Sequence, residues 1–272
     1  MESAVLIALD GSTNAEKVLP FVEPLLKKGK RRALLVHVLP PGVLAPEAAG
    51  RAYLKEVAAR LAKQKIKAEG ELVHGEPAVA IVRVAEKIKA GLVAFTSHGR
   101  GGLSQWVFGS VAQKILRGCS RPLFVVRALE APEPPVRRVV VPLDGTAGSE
   151  AVLPHAEALA RAWDAPIELL HVAAETGVEA DDSKLRNWIG RERKKMEARF
   201  AEIGKGAPGV EFDRVFVEGD AAARILERAE RAPGAAIALT NHGSGAIGRW
   251  IFGSVSEKIV QAARCPVLIA RP

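Results

Sequence analysis

LTNHGSGAIGRWIFGSVSEKIV at residues 239–260 repeats FTSHGRGGLSQWVFGSVAQKIL at residues 95–116, position for position at an offset of 144. Working outward, LVHGEPA (72–78) and FVEGDAA (216–222) keep that offset, as do RPLFVVR (121–127) and CPVLIAR (265–271). Nearer the start of each copy, VLIALDGST (5–13) matches VVVPLDGTA (139–147), and LLVHV (34–38) matches ELLHV (168–172), both at an offset of 134. Two constant offsets ten residues apart describe one duplication with one insertion or deletion, falling between residues 39 and 72 of the first copy. The join is ALEAPEPPVR (128–137), where Pro132, Pro134 and Pro135 withhold backbone donors from any helix or central strand. The expected organisation is a first domain over 1–127, an extended linker over 128–137 and a second domain over 138–272.

Each copy alternates between two hydrophobic periods. AVLIAL (4–9), ALLVHV (33–38), ELVH (71–74), LVAFT (92–96) and LFVVR (123–127) are apolar runs of strand length, as expected of strands buried on both faces. Between them, Ala15, Val18, Leu19, Val22, Leu25 and Leu26 recur at helical spacing behind Ser12, Thr13 or Asn14 as N-cap. Leu54, Val57, Ala58 and Leu61 form a second stripe, Ile81, Val82, Ala85 and Ile88 a third, and Val111, Ile115 and Leu116 a fourth. The second copy lengthens its second helix, with Leu185, Trp188, Ile189, Met196, Phe200 and Ile203 on the apolar side. Strand–helix alternation of this kind specifies an α/β fold: two tandem, doubly wound, parallel sheets of five strands each.

Composition narrows the function classes. The 272 residues are 48% hydrophobic and 26% charged, an ordinary globular balance, and no apolar run is long enough to span a bilayer. The opening MESAVLIALD reads as a first strand and not as a signal peptide, and Cys119 and Cys265 read as isolated core thiols, so a cytoplasmic protein is expected. Net charge is +8, yet Lys and Arg are dispersed among Glu and only 5% of residues are aromatic, so a nucleic-acid partner is not expected. A positive field does favour small phosphorylated ligands.

In an open parallel sheet the ligand crevice lies beyond the C-terminal strand ends, where strand order reverses. There the sequence places Asp10-Gly11-Ser12 and Asp144-Gly145-Thr146, then His37-Val38 and His171-Val172, then the glycine-framed loops. Gly99 and Gly109 bracket one loop and Gly243 and Gly253 the other, with Ser110 and Ser254 opening the helices that follow. Glycine admits a close anion or a positive φ, and a helix N-terminus offers unpaired N–H groups. A phosphate chain between the glycines is therefore the favoured reading over a loop serving only its own helix. Asp10 and Asp144 read either as Asx-type turns or as acceptors for ribose hydroxyls; a phospho-acceptor role lacks the acidic pair and second Asp it needs. His98 and His242 have no matching acid, base or nucleophile and read as loop-orienting groups, while His37 and His171 read as satisfied core histidines. Trp106 and Trp250 read as packing for the loops.

Several motifs are missing. The chain has no Gly-x4-Gly-Lys-Ser/Thr, no Gly-x-Gly-x-x-Gly after the first strand and no His-x-Gly-His. The loop arginine Arg100 becomes Ser244, so a shared cation for phosphoryl transfer is absent as well.

Taken together, LDGS and LDGT, the paired HV, and SHGRGGLSQWVFGS with NHGSGAIGRWIFGS resemble the universal stress protein family in its tandem form, over essentially the whole chain. That resemblance implies five-stranded, adenine nucleotide alpha hydrolase-like sheets, often paired through the last strand so that the halves are pseudo-twofold related, and ATP held by a Gly-x2-Gly-x9-Gly-Ser/Thr pattern. Carried over by position, Asp10 and Val38 would contact adenosine, with Gly99, Gly109, Ser110 and Val111 around ribose and phosphates. In the second copy these become Asp144, Val172, Gly243, Gly253, Ser254 and Val255. The pattern's first glycine is replaced by Thr96 and Thr240, tolerable if only its backbone faces the ligand. The expected function is a stress-response protein that binds ATP or a related adenine nucleotide, with or without Mg2+, as a signal or structural ligand in one or both halves. A slow ATPase and a nucleotide-free scaffold for protein partners stay open as alternatives, as does a homodimer. Neither a catalytic residue nor a metal site is assigned. Unequal sites are expected, because Arg100 faces Ser244 and Gln105 faces Arg249 across the repeat.

Overall fold

The computed structural model describes residues 4–42, 47–97, 109–127, 135–173, 183–241 and 253–271. The first half runs β1 (Val5–Ala8), α1 (Thr13–Glu16), α2 (Leu19–Lys28), β2 (Ala33–Leu39), α3 (Glu47–Lys63), β3 (Ala68–His74), α4 (Pro77–Lys87), β4 (Leu92–Thr96), α5 (Ser110–Gly118) and β5 (Leu123–Val126). The second half repeats the plan as β6 (Arg138–Pro142), α6 (Ala147–Glu150), α7 (Leu153–Trp163), β7 (Ile167–Ala173), α8 (Ser183–Gly206), β8 (Phe212–Glu218), α9 (Ala221–Arg231), β9 (Ala235–Thr240), α10 (Ser254–Ala262) and β10 (Val267–Ala270).

The strands form one sheet in the order β3-β2-β1-β4-β5-β10-β9-β6-β7-β8. Pairings within each half are parallel, with order reversing on either side of β1 and of β6. The two five-stranded sheets expected from the repeat are thus present, and they are joined edge to edge. The join is antiparallel, β5 on β10, with Phe124 opposite Leu268. These two residues are each other's counterparts at the offset of 144. The pseudo-twofold axis therefore passes through that pair.

Because the strands are buried on both faces, their alternate side chains feed two separate cores. One core packs Val5, Ile7, Leu35 and Phe124 with Val139, Leu169 and Leu268 beneath α2, α3, α7 and α8. The other packs Leu6, Val93 and Val125 with Val140, Ile237 and Ile269 beneath α4, α5, α9 and α10. Both cores cross the join, so the halves share apolar burial worth about 1.5–3 kcal/mol for each large side chain.

The long first helix read from the sequence is in fact two, broken after Glu16. Ser12 caps α1 by accepting from the Ala15 N–H, and α2 begins anew with Pro20 in its first turn, where a missing N–H costs nothing. Pro154 plays the same part in α7. The longer helix of the second copy is α8, with Met196, Phe200 and Ile203 buried. No helix among the described residues is long and apolar enough to cross a membrane.

Polar ties reinforce the join. Lys28 reaches across to Asp164 at 2.5 Å and to the Arg161 carbonyl at 3.0 Å. On the opposite face, Arg127 Nη1 donates to the Ala262 and Ala263 carbonyls at 3.4 and 3.3 Å, at the C-terminal end of α10. Arg271, the counterpart of Arg127, donates to the Leu116 carbonyl in the last turn of α5. Each half thus caps the other's final helix, where a cation also complements the helix dipole.

Candidate functional site

The first and sixth strands end at Leu9-Asp10 and Leu143-Asp144, the reversal points of the two half-sheets. Gly11 and Gly145 follow with φ of +83° and +87°, a region only glycine enters cheaply, and the chain turns sharply there. Asp10 Oδ1 accepts from the Ser12 N–H at 2.9 Å and its hydroxyl at 2.6 Å. Asp144 Oδ1 does the same with Thr146, at 2.9 and 2.7 Å. The Asx-turn reading is therefore correct for one carboxylate oxygen in each half. It also fixes the orientation of the acid and leaves the Asp144 side chain on a cavity wall.

His37 and His171 support the same segment. Each Nδ1 lies 2.9 Å from the carbonyl of Leu9 or Leu143, the residue just before the aspartate. A carbonyl only accepts, so each Nδ1 carries the proton; His37 is buried, as expected of a satisfied core histidine, whereas His171 is half-buried at the end of β7. The bond ties the second strand of each half to the end of the central one.

The final helix of each half starts at the reversal point. Gly109 and Gly253 are the N-caps of α5 and α10, and neither helix has a side-chain cap. Their φ values are −58° and −62°, open to any residue, so backbone conformation does not demand glycine at either place. What glycine gives there is the absence of a side chain in front of the exposed amides of the helix start. Ser110 and Ser254 occupy the first helical position, and both are exposed. The Gly109 N–H is held by the Ser97 carbonyl at 3.0 Å, whereas the Gly253 N–H is held by the Asn241 side-chain oxygen at 3.2 Å.

In the second half these pieces enclose a cavity of about 280 Å³. Asp144, Val172, Thr240, Gly253, Ser254 and Val255 all line it, which brings together every second-copy candidate within the described residues. Leu143, Leu170, Ile225, Leu239 and Ile259 form its apolar wall. Thr240 is 5% exposed at the end of β9, and the space persists with its side chain in place. Its carbonyl accepts from the Ser256 hydroxyl at 3.2 Å, anchoring the first turn of α10. In the first half Asp10, Val38, Thr96, Gly109, Ser110 and Val111 stand at the equivalent ends of β1, β2, β4 and α5. There the wall residues Leu239 and Ala221 are exchanged for Phe95 and Pro77. Gly99, Gly243, His98, His242, Trp106, Trp250, Arg100, Ser244, Gln105 and Arg249 lie outside the described residues.

Sequence reading missed Asn241. It is fully buried, and its Nδ2 has no hydrogen-bond partner among the described residues, an unusual state for a buried donor. Its first-copy counterpart is Ser97, one of several exchanges between the two loops, so nothing in the sequence singled it out. Just before the lining residue Ala221, Asp220 caps α9 and lies 3.8 Å from Lys258 of α10, while Glu76 and Lys114 repeat the arrangement at 3.2 Å. The capping N–H groups, chiefly that of Ala223 for Asp220 and of Val79 for Glu76, hold both carboxyls below the usual range. Among the described residues no group of three or more His, Cys, Asp or Glu is placed to hold a metal ion. The arrangement provides a helix start without a side-chain cap, a fixed carboxylate and an apolar slot between them.

Comparison with known proteins agrees with this architecture. A universal stress protein of Mycobacterium tuberculosis is 29% identical over 215 residues, spanning 77% of this chain and 71% of the relative. A second from the same organism is 28% identical over 242 residues, 86% of this chain and 80% of its own length. Among solved structures, a universal stress protein of Archaeoglobus fulgidus superposes with a TM-score of 0.76 at 23% identity, covering 100% of this chain and 99% of its own. One from Pseudomonas aeruginosa reaches 0.80 at 13% identity, covering 99% and 93%. At such identities the superpositions speak for the fold alone. The universal stress protein family itself matches residues 1–127 and again 135–271, so the chain belongs to that family and carries its domain twice.

Proposed function

We propose that this protein binds an adenine nucleotide, ATP or a close relative, in the cavity of its second half, and that the nucleotide serves as a signal or structural ligand in a cytoplasmic stress response. The observation that carries the reading is the convergence of Asp144, Val172, Thr240, Gly253, Ser254 and Val255 on one cavity. Its volume of about 280 Å³ sits near the small end of ligand pockets, roughly 300–1,000 Å³, and suits a nucleoside body whose phosphates leave along the start of α10. Asp144 would accept ribose hydroxyls, the apolar wall would take the base, and the amides of the first turn of α10, from Ser254 onward, would take phosphate oxygens. Residues 1–127 and 138–272 would act as two nucleotide-binding domains, the second with the roomier slot because Leu239 and Ala221 stand where the first has Phe95 and Pro77.

Calorimetric titration with ATP, with and without Mg2+, tests the proposal on wild type and Gly253→Val. Valine is conformationally permitted at φ −62°, so the variant is expected to fold while its side chain blocks the helix start. Binding should weaken at least tenfold. Wild type that takes up no adenine nucleotide under either condition would refute it.

A further inference from the structure

At the other end of the second half-sheet, about 20 Å from Asp144 along β6 at roughly 3.3 Å per residue, lies a separate cavity of about 380 Å³. Arg137, Arg138, Arg228 and Arg231 line it together with Glu168. Glu168 has no solvent exposure, and both its oxygens are engaged. Arg228 donates from Nε to Oε1 at 2.6 Å and from Nη2 to Oε2 at 3.0 Å, and Arg138 Nη1 adds a third bond at 3.1 Å.

The first half is an internal control for what this cluster does. Arg138, Glu168 and Arg228 correspond to Ala4, Leu34 and Val84, and the pairing of Val140 with Glu168 in the second half repeats that of Leu6 with Leu34 in the first. The fold therefore closes with apolar residues at these places. A buried ion cluster gives no stability advantage over such an apolar set, so stability alone does not account for it. A requirement of α9 alone does not either. Arg228 and Arg231 in its last turn complement its dipole, but that calls for neither a buried glutamate nor Arg137 and Arg138.

What the cluster does is hold cationic donors at fixed positions. Glu168 grips one edge of the Arg228 guanidinium and Nη1 of Arg138, leaving Nη1 of Arg228 and the Nε and Nη2 of Arg138 uncommitted among the described residues. Arg138 also contacts Asp213, and Arg231 pairs with Glu227 at 2.5 Å. Even counting those two acids, four guanidiniums face three carboxylates. The surplus is Arg137, which makes no ion pair or side-chain hydrogen bond among the described residues. Its backbone N–H is fixed to the Gly234 carbonyl at 2.8 Å, and its stem lies so close to Gly234 that an added Cβ would sit 3.0 Å from Arg137 Cγ. Guanidinium forks match phosphate oxygens in pairs, and a planar, permanently charged donor is suited to phosphate recognition.

We propose that this arginine cavity is a second anion site, independent of the nucleotide cavity, that takes a phosphate or pyrophosphate group of a small molecule. Inorganic pyrophosphate is the probe, titrated by calorimetry into the full chain carrying Gly109→Val and Gly253→Val, which removes the helix starts as competing sites. Adding Arg137→Ala and Arg231→Ala, both exposed and neither bonded to Glu168, should weaken the remaining binding at least tenfold. The pair Arg51→Ala and Lys63→Ala lowers net charge equally on distant α3 and should change it less than twofold. Equal weakening by both pairs would show nonspecific attraction and overturn the proposal, as would the absence of pyrophosphate binding before the arginines are removed. ATP binding by wild type is read separately, so failure here leaves the nucleotide reading untouched.

Discussion

Replacing Arg127 with methionine keeps the apolar stem in place and removes the guanidinium that reaches from the end of β5 to the carbonyl end of α10. The side chain is 7% exposed, so water does not readily replace what is lost. The charge-assisted contacts to the Ala262 and Ala263 carbonyls, at 3.4 and 3.3 Å, disappear. These are long, which places them near the lower end of the 1.5–3 kcal/mol typical of hydrogen bonds to charged groups. The lost cation at a helix C-terminus adds about 0.3–1 kcal/mol. A destabilisation of about 2 kcal/mol follows, a urea midpoint shift of roughly 1 M at a slope near 2 kcal/mol per molar. The location of the effect is more informative than its size. A substitution in the first half should accelerate hydrogen exchange at the last amides of α10, in the second. Increased exchange confined to the first half, or a midpoint moved by less than about 0.3 M at the same slope, would refute the crossed-cap argument.

Acid should weaken the same join through His155, whose pKa is lowered from 6.5 by burial and by Arg31 and Arg121 of the first half. Its neutral form is favoured by folding, so its contribution is complete above pH 6.5 and lost as pH falls through the lowered value; His155→Gln should flatten that acid limb in urea melts. Burial pushes the Cys265 thiol up to about 12 and also raises that of Cys119, so both should resist iodoacetamide at pH 8 until the chain unfolds. The corresponding stability is complete below pH 9 and lost as pH rises toward about 12, visible as an alkaline limb that Cys265→Ala removes. Gly145→Ala meets both a φ of +87° and Met196 Sδ at 2.8 Å from the new Cβ. It should cost about 2 kcal/mol and lower the melting temperature by roughly 5 °C, and an unchanged melting curve would contradict the turn geometry.

Most of the strand plan was legible because parallel strands buried on both faces are continuous apolar runs. LVAFT gave β4 its full extent, Leu92–Thr96. The edge strand β3 begins at Ala68, three residues before the expected ELVH, because Glu69 and Gly70 lie in an exposed stretch where no apolar signal marks the backbone pairing. The cavity beside Asp144 was legible through topology, since the reversal-point rule points to the ends of β6 and β9 whatever residues stand there. The arginine cavity was not. Its charges come from the start of β6, from β7 and from α9, each looks like surface in its own segment, and Glu168 stands where LLVHV has Leu34.

Covalent fusion of the halves has a consequence for how the two faces of the axis can diverge. In a true twofold dimer each substitution is made twice, and a residue on the axis meets itself. Here Phe124 meets Leu268, so a bulky ring on one side is accommodated by a smaller neighbour on the other. Every change in this chain is a single change beside a constant partner. That freedom allows one copy to keep Ala4, Leu34 and Val84 while the other acquires three ionised residues at the matching points of the same sheet.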